Sequence, residues 1–219
     1  MFSKCAFHRF VILTFLLSAT FCVFIGCEKI MTKDIIRSED LGFVDTPWEI
    51  ATINDQPLES LFTPEPEEGS PPSTFAVTSK FVFDATGKLA GELIFTVSEQ
   101  YPVDPPRSLT FTITYTVTGE YTAGATTLTI ETQNVEVDVT ATLTPREVWE
   151  AELEKSPLEH RLTVEQLQDE LATGSEMGFA QDESTFPFKV GVNYTQQTEQ
   201  DTLTLSVPGE TLVFKKKTE

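Results

Sequence analysis

Apolar and polar side chains alternate at every second position through most of residues 75–143. A strand turns successive side chains to opposite faces, so this period places one face in a core and the other in water. Antiparallel sheets commonly have one wet face, whereas parallel strands are usually apolar on both faces. The pattern therefore favours an antiparallel sheet. The alternating apolar positions are Phe75, Val77, Phe81 and Phe83; Leu89, Leu93, Phe95 and Val97; Phe111, Ile113, Tyr115 and Val117; and Val135, Val137, Val139, Ala141 and Leu143.

Turn signals divide this region into separate strands. The segment 84–87, which ends in Gly87, predicts a turn, so residues 75–98 are expected to form a hairpin. A proline-rich segment at 101–106 breaks the pattern a second time. Gly119 and Gly124 are expected to bracket a further turn, which would separate the strand at 111–117 from those at 128–130 and 135–143.

Further strands are predicted on both sides of this region. Residues 47–53 read as a first strand, in which Trp48 and Ile50 share one face. About eight or nine short strands predict an all-β fold, either a sandwich or a closed barrel, and their hairpin connections favour an antiparallel up-and-down β-barrel over a Greek-key sandwich. We expect the last strand to pair with the first, because closure removes both exposed edges. The strands that follow residue 187 are expected at 188–194, 203–207 and 211–214.

Two helices are predicted to interrupt the strands. Thr144, with Pro145 at the first helical position, begins one capping box, and Thr163 with Gln166 forms a second. Gly174 is expected to end the second helix. We expect both helices to pack against the end or side of the barrel through Trp149, Leu153, Leu167 and Leu171.

The amino-terminal segment has the charge and hydropathy of a targeting signal. Lys4 and Arg9 precede or flank an apolar run at 10–25, and Gly26 directly precedes Cys27. The run is shorter than the ~20 residues that a transmembrane helix needs. The segment resembles a bacterial lipoprotein signal, which implies cleavage before Cys27 and lipidation of that residue. An ordinary secretory signal with an incidental cysteine is the alternative.

The lipoprotein resemblance implies three segments and a location. They are a signal peptide at 1–26, a lipidated terminus and tether at 27–45, and a barrel domain at 46–219 with its helical insert at about 145–173. The protein would be anchored to a membrane of the cell envelope. Since Glu28 follows the cysteine in place of Asp, the usual retention signal of enterobacterial inner-membrane lipoproteins is absent. For a Gram-negative host this implies the outer membrane, facing the periplasm.

The charge of the chain limits its partners. The formal net charge is −19. Nucleic-acid phosphates require clusters of Lys and Arg, so we expect no nucleic-acid partner. An anionic lipid surface would also repel the body of the protein, so the membrane contact would depend on the acyl chains of Cys27.

Few residues offer catalytic or metal-binding chemistry. Cys5 and Cys22 lie in the signal segment, which leaves Cys27 as the one thiol of a mature chain and permits no disulfide within it. His160 is the one histidine beyond the signal, so a multi-histidine metal site cannot form. The chain has no Gly-rich phosphate loop and no nucleophile-elbow motif. We therefore expect no catalytic residues, no metal, no cofactor and no enzyme activity.

Three local patterns resemble the lipocalin-like domains of bacterial lipoproteins. Trp48 opens the first strand, a middle pattern covers 115–119 and 127–130, and the last runs from Tyr194 to Lys215. The resemblance implies a small antiparallel barrel. It also implies a basic residue stacked on the tryptophan, for which Lys215 is the candidate.

Two functions fit a barrel of this size, which can hold one small apolar ligand or be filled by its own side chains. The leading hypothesis is a membrane-tethered protein that binds a small hydrophobic molecule in or at the mouth of the barrel. The alternative is a filled barrel that acts as a structural or protein-interaction module of the envelope. Trp149 either packs across the barrel mouth, or acts as an aromatic anchor for a partner or as part of a lid. The expected ligand-binding residues are Trp48, Phe83, Phe95, Tyr115, Phe188 and Tyr194.

Overall fold

The computed structural model describes residues 41–62, 71–157, 161–179, 188–197 and 200–218. In these ranges the chain forms nine strands and three helices. The strands are β1 (Pro47–Ile53), β2 (Gln56–Pro57), β3 (Ser73–Phe83), β4 (Lys88–Tyr101), β5 (Arg107–Ala123), β6 (Thr127–Thr144), β7 (Phe188–Gln197), β8 (Thr202–Val207) and β9 (Glu210–Lys216). The helices are α1 (Leu58–Phe62), α2 (Arg146–Leu153) and α3 (Val164–Phe179).

The sheet closes on itself. Strands β3 to β9 follow one another in chain order, and each neighbouring pair is antiparallel. β1 lies between β3 and β9, and it pairs with β9 from Trp48 opposite Lys216 to Ile53 opposite Leu212. The two-residue β2 pairs with the end of β1. The predicted all-β up-and-down barrel is therefore confirmed, as is the pairing of its last strand with its first.

The barrel has two halves because its strands differ in length. β5 and β6 have 17 and 18 residues, whereas β1 and β9 have seven each. β7 pairs with β6 only along residues 127–132, and β1 pairs with β3 only at Pro47 and Trp48. The half at which the described chain enters, here called the entry half, is thus surrounded by strands. The other half, here called the far half, is built from β3 to β6 and the helices.

Each half contains a cluster of buried side chains. The entry cluster includes Phe43, Trp48 and Leu128, all 0–1% exposed. The far cluster includes Phe95, which is 0% exposed, and Val164 of α3. Helix α3 packs along β6, where the paired segment of β7 has ended. A helix therefore covers the side of the far half that a strand covers in the entry half.

A bulge in β6 corrects the sequence interpretation of the central strands. β5 continues through Gly119 without a turn, and β6 is one strand, so the predicted turn at Gly119 is wrong. Thr118 lies opposite Asn134 and Gly119 lies opposite Thr132, which leaves Gln133 as an extra residue. The extra residue changes the inward positions of β6 from even-numbered to odd-numbered residues. Both ends of this long strand can therefore face the core with apolar side chains.

The two long helices begin differently. The Thr163 hydroxyl accepts a hydrogen bond from the Gln166 backbone N–H at 3.2 Å, and the Gln166 side chain accepts one from the Thr163 N–H at 2.8 Å. This capping box is confirmed. The one predicted at Thr144 is wrong, because an extended Pro145 holds the N-cap position of α2 and makes no side-chain hydrogen bond. Helix α3 also continues past Gly174, since glycine inside an exposed helix costs only about 1 kcal/mol.

The helices contact the barrel as predicted. Trp149, Leu153, Leu167 and Leu171 all pack against the far cluster. The described helices include none that is both long and apolar enough to span a membrane. The predicted signal peptide, Cys27 and His160 lie outside the described residues.

Candidate functional site

Four of the six residues predicted to bind a ligand are buried among other side chains. Trp48 and Phe83 belong to the entry cluster, and Phe95 and Tyr115 belong to the far cluster. Their exposed fractions lie between 0% and 5%. The structure therefore distributes these residues over both halves of the barrel.

Phe43 fills the entry end of the barrel, although no strand pattern in the sequence singles it out. Its ring centroid lies 5.4 Å from those of Phe83 and Tyr194, and 6.2 Å from that of Tyr121. Trp48 donates its indole N–H to the Phe43 carbonyl oxygen at 2.9 Å. Aromatic pairs in these tilted and edge-to-face arrangements stabilise each other beyond their buried area. The entry end is thus occupied by a segment of the chain itself.

The remaining two predicted residues lie on β7. Tyr194 is half-buried in the entry half and donates its hydroxyl to the Gly124 carbonyl oxygen at 3.1 Å. Burial raises the pKa of Tyr194, so its hydroxyl stays protonated at neutral pH and acts as a donor. Phe188 begins β7 opposite Thr132, and its side chain lies outside the described part of the molecule.

Lys215 does not stack on Trp48, so this expectation from the family resemblance is wrong. In the β1–β9 register Lys215 lies opposite Glu49, whereas Trp48 lies opposite Lys216. Adjacent residues of a strand point to opposite faces, so Lys215 and Trp48 lie on different faces of the sheet. Lys215 is exposed, whereas Trp48 is 1% exposed inside the barrel.

The far cluster is also aromatic. The ring of Phe95 meets Tyr115 edge-on at 5.9 Å and lies 6.0 Å from Phe75. Ser79 is one of the few buried polar side chains, and its hydroxyl accepts a hydrogen bond from the Ile50 backbone N–H at 2.7 Å. This contact occurs where β1 separates from β3, so the serine satisfies a backbone donor that has left the strand ladder.

A second group of side chains meets around Trp149 on α2. The indole N–H donates to the Ser108 carbonyl oxygen at 3.2 Å. Tyr101 meets the indole edge-on at 6.2 Å, and the Arg107 guanidinium carbon lies 4.6 Å from its centroid. A guanidinium within about 6 Å of an indole face is attracted by the ring quadrupole. The contacts fix α2 against the ends of β4 and β5, which agrees with the packing role predicted for Trp149.

Arg107 belongs to no recognisable sequence motif, although its position carries a signal. Arg107 falls on the same odd-numbered face of β5 as Leu109 and Phe111, both of which are buried. A charged residue in register with an apolar face needs a partner, because burying an unpaired charge is costly. Glu152 supplies one, with its Oε2 3.4 Å from Arg107 Nη1. The identity of this partner could not be read from the spacing.

A surface groove of about 260 Å³ opens beside Arg107, between the β4–β5 loop and α2. Glu152 Oε2 also lies 2.7 Å from Lys155 Nζ, so this carboxylate contacts two cations. The hydrogen bond from Lys155 is the main cause of the lowered pKa of Glu152, which is therefore ionised at neutral pH. On the loop, Val103 is 47% exposed, an unusual exposure for a large apolar residue in the described chain. The groove is lined by Val103, Asp104, Pro105, Arg107, Val148, Ala151, Glu152 and Lys155.

Tyr101 completes the surroundings of Trp149. Its hydroxyl donates to Glu99 Oε2 at 2.7 Å. Burial, followed by the hydrogen bond to Glu99, raises the pKa of Tyr101 to about 12. Tyr101 is thus a protonated donor at neutral pH and not a general base. The side chains around Trp149 and the groove offer cations, apolar surface and hydrogen-bond donors, which suit the binding of a ligand or a partner.

Within the described ranges, no cluster of three His, Cys, Asp or Glu side chains is arranged to hold a metal ion. No protein-family model matches the chain, and no curated protein matches it. A functional assignment therefore depends on the site itself.

Proposed function

We propose that this protein is a membrane-anchored lipoprotein of the cell envelope whose filled barrel carries a protein-interaction surface. One observation supports the filled barrel above others: Trp48, Phe83, Phe95 and Tyr115 are at most 5% exposed and pack against other parts of the chain. A pocket for an apolar ligand needs lining side chains that the ligand can cover. The surface of these four is already covered by protein. The module acts by contact and not by catalysis.

The path of the chain favours a contact surface that faces away from the membrane. Residues 41–46 lead into β1 at the entry half, where the Asp45 N–H donates to the Phe83 carbonyl oxygen at 2.8 Å. Cys27 precedes this segment, so a lipid on Cys27 attaches the entry half to the bilayer. Helix α2 and the groove belong to the far half. In the outer membrane of a Gram-negative host, a periplasmic partner can then reach the far half.

The groove has the composition of a contact surface. Val103 is 47% exposed next to Arg107, and Pro105 continues the apolar rim. Protein interfaces are enriched in arginine relative to the rest of the protein surface. The exposed valine and the arginine beside it make the groove a candidate contact surface for a partner protein.

A second candidate function is the binding of a small hydrophobic molecule in the far half. It is favoured by four apolar side chains that pack on the far cluster but remain only partly buried, namely Ile53, Phe75, Val135 and Val137. Native mass spectrometry of the full chain, extracted in mild detergent from its own cells, separates the two candidates. A co-purifying molecule that is lost in Val137→Trp favours ligand binding. A protein with no added mass beyond its acyl chains favours the filled scaffold.

The anchor is tested by fractionation. Cys27→Ser removes the residue that would carry the acyl chains. The protein should then move from the membrane to the soluble fraction, because stable anchoring takes two or more such chains. Cys22→Ser is the matched control, since Cys22 falls within the predicted signal. It should leave the protein in the membrane fraction. Unchanged partitioning of Cys27→Ser would contradict lipidation of Cys27.

The contact surface is tested by photo-crosslinking in cells. A photoreactive phenylalanine analogue replaces Val103 at the groove in one protein and Thr116 in another. Thr116 is exposed on β5 and is not part of the groove lining. We expect a discrete protein adduct from position 103 and none from position 116. No adduct at 103, or the same adducts at both positions, would contradict the proposed surface.

A further inference from the structure

Arg107 has more hydrogen-bond donors than its described neighbours accept. A guanidinium carries five N–H donors and no acceptor. Nη1 lies 3.4 Å from Glu152 Oε2, and the Trp149 face accepts no conventional hydrogen bond. Nε is buried and makes no hydrogen bond within the described chain. Because Nε is buried, a ligand in the open groove cannot reach it, and the donors left for such a ligand are those of the terminal Nη nitrogens.

Glu152 is a shared partner and leaves Arg107 incompletely paired. Its Oε2 lies 2.7 Å from Lys155 Nζ, closer than the 3.4 Å to Arg107 Nη1. An incoming carboxylate can therefore take the guanidinium while Glu152 keeps its contact with Lys155. Carboxylates bind guanidinium groups through two parallel N–H···O bonds, which the single contact with Glu152 does not provide.

We infer that the groove is a binding site for a carboxylate that carries an apolar group, namely the C-terminal residue of the partner polypeptide. Val103, Pro105, Val148 and Ala151 supply the apolar lining beside Arg107. The groove volume of about 260 Å³ lies just below the roughly 300–1,000 Å³ of pockets that hold drug-sized ligands, so the groove suits a smaller group such as one amino-acid residue. That the carboxylate belongs to a protein rests on the proposed function. The carboxylate site itself does not.

The surrounding charges set the selectivity of this site. Asp104 lines the same groove, and the chain as a whole has a net charge of −19. These charges oppose any anionic ligand, so binding of a carboxylate depends on its direct contact with the Arg107 guanidinium, and a second negative group would weaken binding further. Arg107 is 20% exposed and is held against Trp149, so little side-chain freedom is lost when it binds.

Binding is measured by NMR on the full chain in detergent micelles, with arginine isotope-labelled on nitrogen. The probes are N-acetyl-leucine, its uncharged amide N-acetyl-leucinamide, and the acetylated tripeptide Gly-Gly-Leu with a free carboxyl end. We expect both acids to shift an arginine Nε–H signal saturably, and the amide to leave it unchanged. Arg107→Lys keeps the charge but lacks the planar fork, and should bind at least about tenfold more weakly.

Arg146→Gln is the matched control, because the Arg146 side chain is 59% exposed and pairs with Glu150 and Glu165 outside the groove. It should keep the affinity of the unaltered protein. Equal shifts with acid and amide, or no saturable shift with either acid, would overturn the carboxylate site. These outcomes are read in the unaltered protein, so they do not depend on the folding of a variant.

The two acids distinguish the source of the carboxylate. Tighter binding of the tripeptide than of N-acetyl-leucine supports a polypeptide end, whereas equal binding overturns that assignment in favour of a free organic acid. The result is independent of photo-crosslinking at position 103. Saturable acid binding without a crosslinked protein would contradict the proposed interaction function and leave the carboxylate site intact.

Discussion

The indole N–H of Trp48 donates to the carbonyl oxygen of Phe43 at 2.9 Å, and the two side chains are 1% and 0% exposed. The bond joins the segment ahead of β1 to the first strand inside the barrel. An unsatisfied buried N–H would cost about 1–3 kcal/mol, so the contact fixes the path of that segment. Phe43 therefore belongs to the core, although the sequence interpretation assigns it to the tether.

Phe43→Ala should strongly destabilise the fold. The ring fills the entry end among Phe83, Tyr121 and Tyr194. Its removal leaves a cavity that the strands of the closed barrel cannot move inward to fill. We expect the free energy of unfolding to fall by about 3–5 kcal/mol, measured by urea unfolding with circular dichroism. The control Val103→Ala truncates an exposed side chain and should change the free energy of unfolding by less than about 0.5 kcal/mol. Equal effects would contradict a structural role for Phe43.

Gly119→Ala should destabilise the barrel at the bulge. A Cβ at this position would lie 2.5 Å from the Glu131 carbonyl oxygen, which is backbone and cannot move freely. We expect a loss of about 1–3 kcal/mol in urea unfolding, typical of overpacking. Gly191→Ala on β7 is the control, because no atom lies within 4 Å of its Cβ position. That variant should be neutral or slightly more stable, and a similar loss in both would argue against the close approach at Gly119.

Thr163→Ala should destabilise the chain by about 1 kcal/mol, because it removes the side-chain acceptor of the α3 capping box. Thermal unfolding followed by circular dichroism measures the loss. Thr144→Ala is the matched control. Thr144 is exposed at the end of β6, and Pro145 holds the N-cap position of α2 without a side-chain hydrogen bond. A larger loss in Thr144→Ala would contradict this assignment of the two caps.

Alkaline pH should destabilise the entry half through Tyr121. Its hydroxyl donates to the Asp84 carbonyl oxygen at 2.6 Å. Burial, followed by the charges of Asp84 and Asp45, raises the pKa of Tyr121 to about 12. Because the pKa of Tyr121 is higher in the folded state, folding favours the protonated tyrosine. Its contribution to the free energy of unfolding is therefore complete below the unfolded pKa of about 10. It is lost as the pH rises through 12, and urea unfolding over this range should show the fall.

Tyr121→Phe isolates this contribution. At neutral pH the variant should be less stable by about 1 kcal/mol, because the hydrogen bond to Asp84 is lost. Between pH 10 and 12 its stability should fall less steeply than that of the unaltered protein. The pKa of Tyr101, also raised to about 12, affects both proteins, so the difference between the two curves reports Tyr121. Identical slopes would contradict the assignment.

The candidate site was only partly predictable. Trp149 is visible in the sequence because tryptophan is rare and lies at an inward position of a predicted helix. Its contacts with Arg107 and Tyr101 depend on the loop that turns β4 back along β5, where Tyr101 lies opposite Arg107. The packing of α2 on this pair is a tertiary contact. No local pattern encodes it.

Local patterns in the sequence were enough to predict the strands and their buried faces, because alternation of neighbouring side chains gives each strand one apolar face. They were likewise enough to predict the Thr163 cap, which involves residues only three positions apart. The position of Phe43 in the entry end and the register shift at Gln133 in β6 arise from tertiary packing. The contact of Arg107 with Trp149 beside a groove also arises from tertiary packing. These contacts join residues far apart in the chain, and their positions depend on strand register and loop path, which periodicity does not specify.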